Sequence, residues 1–171
     1  NEVKNPNILI AGCGTGQHSI TTAARFKSSK VLAIDLSLSS LAYAKRKTDE
    51  LAIENIEYMQ ADILDMGKFN KKFDIITSCG VLHHMKNPSD GLSKLVSLLA
   101  QDGVIKLALY SSYARKGLKA IRGYISKNKY TNGIEDIRKL RRKIKNKDVN
   151  VDFKYIEDIE KSGDFYSANE L

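Results

Sequence analysis

The sequence predicts an open, doubly wound α/β sheet of mostly parallel strands, and three observations carry that reading. Short apolar runs recur along residues 7–110, each of the length expected for a buried parallel strand. Stretches with apolar residues at helical spacing lie between them. A glycine-rich turn joins the first run to the first helical stretch, where a doubly wound sheet places its ligand crevice.

Taken in order, residues 8–11 (Ile-Leu-Ile-Ala) form the first strand and residues 18–26 a short helix. Residues 31–34 form the second strand, ending before Asp35. Ser37 caps a helix that runs through Leu38, Leu41, Ala42 and Ala44 toward Leu51. Residues 56–61 and 73–79 read as strands three and four. Asn87-Pro88 opens a helix carrying Leu92, Leu95, Val96 and Leu99, and Gly103 closes that region. Residues 104–110 form a fifth strand, so crossover helices give five strands in the order 3-2-1-4-5. Beyond Tyr110, Ala114, Leu118, Ile121 and Ile125 mark one amphipathic helix, and Ile134, Ile137, Leu140 and Ile144 another.

At 171 residues the chain has the size of one domain, and no apolar run approaches the roughly 20 residues that span a bilayer. Asn1-Glu2-Val3-Lys4 carries no signal-peptide pattern, so the expected setting is soluble and cytoplasmic, with no membrane contact. Cys13 and Cys79 stand far apart without metal-ligand spacing; reduced thiols and no metal site are expected. The formal charge of +8 is unevenly spread: residues 1–110 carry +2, residues 111–147 carry +11 and residues 148–171 carry −5. Arg138, Lys139, Arg141, Arg142, Lys143, Lys145 and Lys147 fill the outer face of the last helix. A solvated surface is the favoured reading of that face; RNA is an open but less favoured partner.

Ala11-Gly12-Cys13-Gly14-Thr15-Gly16-Gln17 sits at the end of the first strand, where glycines let the chain turn sharply and let a ligand lie against main-chain N–H groups. The spacing is G-x-G-x-G. A dinucleotide pyrophosphate calls for G-x-G-x-x-G, whose third glycine would fall at Gln17, so a ligand with an amino-acid moiety fits better. Asp35 ends the second strand on the crevice side, where a carboxylate can accept both hydroxyls of a ribose; Asp-Leu-Ser also reads as a helix cap. Asp62 ends the third strand, placed for an adenine amino group, with Ile63 as an apolar contact.

Residues 8–16, Ala33-Ile34-Asp35-Leu36-Ser37, Gln60-Ala61-Asp62-Ile63 and residues 73–84 (Phe-Asp-Ile-Ile-Thr-Ser-Cys-Gly-Val-Leu-His-His) together resemble the successive motifs of class I S-adenosylmethionine-dependent methyltransferases. The resemblance covers residues 7 to about 110 and is nearest to a bacterial branch of the type 11/12 kind, acting on small molecules or proteins. It implies a Rossmann-like domain over residues 1–110 with S-adenosylmethionine as cofactor and S-adenosylhomocysteine as product. It implies that Gly12, Gly14 and Gly16 approach the methionine part of the cofactor, Asp35 the ribose, and Asp62 with Ile63 the adenine; Cys13, Thr15, Gln17, His18 and Leu36 complete the expected cofactor-binding set, with Cys79 as a small wall of the pocket. Two departures stand out. Ile10 occupies a position where the family often has an acid, which leaves His18 or Gln17 to support the methionine end. The family sheet has seven strands against five here, so the chain reads as a truncated core followed by a basic helical lid or insertion (111–147) and an acidic tail (148–171) that begins a missing part. The missing strands would come from further residues or from a second copy of the chain, which makes a homodimer a candidate state.

Methyl transfer from a sulfonium is an in-line displacement that needs alignment, exclusion of water and at most a base. His83 and His84 are the candidate bases, and Tyr110 and Tyr113 lie near the same strand ends. The Ser78-Cys79-Gly80-Val81 loop lacks the Pro-containing signatures of enzymes that methylate base amines or cytosine C5. The expected acceptor is therefore a small molecule or a protein. The competing readings are an RNA methyltransferase using the basic helix, a non-catalytic module, and an NAD(P)-dependent oxidoreductase.

Overall fold

The computed structural model describes residues 4–111 and 116–150. Two compact units divide the chain at Leu109/Tyr110. In the first, β1 (Asn7–Ala11), β2 (Lys30–Asp35), β3 (Ile56–Gln60), β4 (Phe73–Cys79) and β5 (Leu99–Ala108) form one sheet in the order β3-β2-β1-β4-β5. Every pairing is parallel. The five-strand, doubly wound expectation and its strand order are therefore what the chain adopts.

β1 and β2 read as near-continuous apolar runs because both of their faces are covered, whereas Val104 on β5 is exposed. In β1, Leu9 and Ala11 enter a cluster with Ile63, Met66, Leu82 and Leu95, while Ile8 and Ile10 join Ala23, Leu41 and Ile56 on the other side. The covering helices start where the sequence supplies caps. In α2 (Leu38–Glu50) the Ser37 hydroxyl accepts the Ser40 N–H at 3.2 Å. In α3 (Pro88–Ser97) the Asn87 side chain accepts the Ser89 N–H, with Pro88 in the first turn. By contrast, α1 (Gln17–Arg25) starts at Gly16 with no side-chain cap. Asn55 ties the α1–β2 connection down, its amide donating to the carbonyls of Ala23, Phe26 and Ser29.

The last strand starts earlier than its apolar pattern predicts. β5 opens at Leu99, which pairs with Phe73, and the regular register resumes only at Val104 opposite Ile75. Residues 100–103 make the intervening irregularity, with Asp102 at φ +63°. Gly103 suits this position, because a Cβ would crowd the carbonyl oxygens of Ala100, Phe73 and Asp74 at 3.0–3.2 Å. The strand ends at Ala108, and among the described residues it pairs only with β4.

In the second unit, α4 (Lys116–Lys127) and α5 (Ile134–Lys145) bury Leu118, Ile121, Leu140, Ile144 and Val149 in a core of their own. Tyr113, Ala114 and residues 151–171, which include most of the acidic tail, lie outside the described residues. No helix among those described is long and apolar enough to cross a membrane.

Candidate functional site

The strand order reverses between β1 and β4, and loops leaving the carboxyl ends of these neighbours must part there. The glycine turn supplies one side of that opening. Gly12, Gly14 and Gly16 all take left-handed backbone angles, at φ +80°, +52° and +91°. Gly12 N–H and Cys13 N–H both donate to the Ile34 carbonyl at 2.9 Å, which stitches the turn to the end of β2. Asp35 completes the attachment: its Oδ2 accepts the Gly14 N–H at 2.7 Å and its Oδ1 accepts the Ser37 N–H at 2.9 Å. The carboxylate thus serves the α2 start and the glycine turn at once, and each oxygen keeps a further lone pair.

Two cavities flank Gly12. One, about 460 Å³, is lined by Ile10, Cys13, Gly14, Thr15, Gln17, His18, Thr21 and Cys79 besides Gly12. The other, about 180 Å³ and mostly apolar, is lined by Gly12, Ile34, Asp35, Leu36, Ala61, Asp62, Ile63, Gly80, Val81, His84 and Met85. A third concavity, about 660 Å³, lies at the amino ends of the strands around Lys30, Glu54, Lys71 and Phe73, away from these loops. Among the described residues no His, Cys, Asp and Glu cluster could hold a metal ion.

The three glycines differ in what surrounds them. A Cβ on Gly14 would meet no protein atom within 4 Å, so this position looks onto open cavity. A Cβ on Gly12 would overlap Val81, and one on Gly16 would lie 2.6 Å from Ala44 Cβ. Gly16 lines neither cavity; its small size lets the α1 start pack on α2.

This arrangement coincides with a known sequence family. Residues 8–103 match the family model described as methyltransferase domain. The chain belongs to the S-adenosylmethionine-dependent methyltransferases. It is 32% identical over 126 residues to an uncharacterized protein of Synechococcus, covering 73% of this chain and 30% of that one. It is 28% identical over 104 residues to the malonyl-[acyl-carrier protein] O-methyltransferase of Acetivibrio thermocellus, covering 61% of this chain and 35% of that one. The chain thus spans about a third of the length of these relatives. Among solved structures, an S-adenosylmethionine-dependent methyltransferase from Clostridium acetobutylicum superposes with TM-score 0.59 at 25% identity, over 66% of this chain and 46% of that one. PKMT2 of Rickettsia typhi, solved with AdoHcy, superposes with TM-score 0.73 at 23% identity, over 88% of this chain and 30% of that one, a likeness of fold.

Within the methyltransferase domain, most of the side chains named from the sequence divide between the two cavities. Cys13, Thr15, Gln17, His18 and Cys79 line the larger cavity; Asp35, Leu36, Asp62 and Ile63 line the smaller. Asp62 also caps the short 3-10 helix Ile63–Lys68, accepting the Leu64 N–H, and Ile63 is buried in the core. His84 reaches the smaller cavity, and His83 meets it through an Nε2···Nε2 hydrogen bond of 3.1 Å, one ring donating and the other accepting. Sequence reasoning missed Gly80, Val81 and Met85, which wall the same cavity from the β4 side. Gly80 at φ +75° was the available signal, a lone glycine just after a strand.

The electrostatics separate the two thiol and imidazole candidates of the larger cavity. Burial, and then the nearby Asp35 carboxylate, pushes the Cys13 thiol up to about 11, so it stays protonated and non-nucleophilic at neutral pH. Burial, and then the Lys106 ammonium, lowers the His18 pKa, so its imidazole is neutral in the folded protein at pH 7. His18 Nε2 is buried with no hydrogen-bond partner. The sign for stability follows: the unfolded chain binds more protons at His18, so stability rises with pH through the window from the lowered folded value up to 6.5. Melting temperatures measured on both sides of this window should rise with pH, and His18→Gln should remove part of that slope. A slope identical in both proteins would take the titration away from His18.

Proposed function

We propose that this methyltransferase domain binds S-adenosylmethionine across the two cavities that meet at Gly12 and transfers its methyl group to a small-molecule or protein acceptor. The observation that carries the reading is the division of labour around Gly12: glycine backbone and His18 on one side, Asp35 and an apolar slot on the other. The residues suit the group. Open space beyond Gly14 admits a ligand against the turn, and the free lone pairs of Asp35 suit ribose hydroxyls. The orphaned Nε2 of His18 offers a polar partner at the amino-acid end, where Ile10 provides none. Ala61, Ile63, Val81 and Met85 offer apolar contacts for an adenine ring, with Asp62 at the rim as an acceptor.

When bound, the cofactor supplies a sulfonium methyl already activated for displacement. The chain's own contribution is then alignment and exclusion of water. The hydrogen-bonded His83–His84 pair, with His84 on the cavity wall, is placed to take a proton from an acceptor, since in the ring that donates through Nε2 the other nitrogen, Nδ1, is the unprotonated one. The free thiols of Cys13 and Cys79 fit a reducing, cytoplasmic setting.

Incubation with methyl-labelled S-adenosylmethionine and cell extract, fractionated into protein, RNA and small molecules, tests the reading. Label is expected in the protein or small-molecule fraction. Retained S-adenosylhomocysteine binding with no labelled product would turn the chain into a non-catalytic module, and label in RNA alone would replace the acceptor class.

A further inference from the structure

Helices in this chain carry their cations in two different ways. On α2, Lys45 pairs with Asp49, Arg46 with Glu50 and Lys47 with Glu50, so each positive charge meets an acid three or four residues on. On α5 (Ile-Glu-Asp-Ile-Arg-Lys-Leu-Arg-Arg-Lys-Ile-Lys) no acid follows Asp136. Glu135 is engaged by Arg138 at 3.5 Å, and Asp136 accepts from the Thr131 N–H and hydroxyl. Arg141, Arg142, Lys143 and Lys145 have no ion pair among the described residues. Instead Arg138 and Arg142, Lys139 and Lys143, and Arg141 and Lys145 stand four apart as like charges. Such pairs work against the helix, and local choices that oppose local stability mark function more often than chance.

Composition alone does not account for this. The chain has 21 Lys against 7 Arg, yet three of those seven arginines fall within residues 138–142. At 3.6 residues per turn the cations of α5 cover roughly 200° of its circumference. The remaining arc, with Leu140 and Ile144, is already buried against Leu118 and Ile121 of α4. An occupied apolar face removes the insertion mode by which basic amphipathic helices enter a bilayer. Over residues 116–150, twelve Lys and Arg oppose three Asp and Glu.

We infer that the α4–α5 hairpin is a docking surface for structured RNA, held through its phosphates chiefly by Arg138, Arg141 and Arg142. The guanidinium fork matches a phosphate in two hydrogen bonds, which explains arginine in a lysine-rich chain. Cations over more than half a helix circumference address phosphates on two facing walls, as the deep, narrow groove of an A-form duplex presents them. The outer arc carries no amide or hydroxyl side chain, and the deep groove of an A-form duplex keeps its base edges out of reach of side chains, so shape and charge decide. The inference is independent of the methyl-transfer reading.

Fluorescence anisotropy of the full chain with a labelled RNA stem-loop, over stepped salt, tests it. The comparisons are a DNA hairpin of the same sequence and vesicles containing an anionic phospholipid. The wild type is expected to bind the RNA with a steep salt dependence. Replacing Arg138, Arg141 and Arg142 together by Gln should weaken binding at least about tenfold and flatten the log–log salt slope by roughly 2 to 3. The triple Lys variant should restore the slope but not the full affinity. Because these side chains lie on the exposed arc, the melting temperature of the Gln variant should be unchanged or higher. The inference is overturned by absent RNA binding, by unchanged affinity in a folded Gln variant, by equal affinity for the DNA hairpin, or by preference for the vesicles.

Discussion

Gly14→Val is expected to abolish binding of S-adenosylhomocysteine while the domain stays folded. Gly14 sits at φ +52°, and no protein atom lies within 4 Å of the Cβ that a substitution would add. The backbone cost of a left-handed non-glycine residue is about 1–3 kcal/mol, below the roughly 5–15 kcal/mol that holds a typical domain together. Folding therefore survives, and the branched side chain projects into the space proposed for the ligand. Gly16→Val supplies the contrast. At φ +91° with Ala44 Cβ 2.6 Å and Ala44 Cα 3.1 Å from the new Cβ, it should separate α1 from α2 and lower the melting temperature sharply. Circular dichroism melts with calorimetric titration read both variants. Full S-adenosylhomocysteine affinity in a folded Gly14→Val protein would place the ligand elsewhere.

Asp35→Ala should weaken S-adenosylhomocysteine by about 1–3 kcal/mol, since charge-assisted hydrogen bonds exceed neutral ones. The loss has two sources: bonds to the ribose hydroxyls, and the bond that fixes the Gly14 N–H at 2.7 Å. Ser37 retains its own role as cap of α2 through its hydroxyl, so the helix survives. Asp35→Asn keeps a single acceptor oxygen for two N–H donors and should fall between the wild type and Asp35→Ala. Titration of the three proteins checks this order, and equal affinities would remove Asp35 from the site.

The order of the strands and most of the cavity walls were legible because they rest on local signals. Buried parallel strands read as apolar runs, and the turn at Gly12–Gly16 announces itself by composition. What was hidden depends on contacts between distant residues. The Gly14–Asp35 bond joins positions 21 apart. That Gly16 packs on Ala44 whereas Gly14 faces open space cannot be told from two identical letters in one motif. The early start of β5 was obscured by Gly103, which reads as the close of the helical region but lies, with Asp102, in an irregularity inside the strand. In α5 the sequence displays the cations, whereas the occupation of its apolar face by α4 needs the fold.

The G-x-G-x-G turn and Asp35 are proposed as a site for an adenosyl amino acid rather than for a dinucleotide. Calorimetric titration of the wild-type chain with S-adenosylhomocysteine and, separately, with NADH and NADPH tests it most directly. Saturable binding of one S-adenosylhomocysteine per chain and no binding of either dinucleotide are expected. Binding of a dinucleotide without binding of S-adenosylhomocysteine would contradict it.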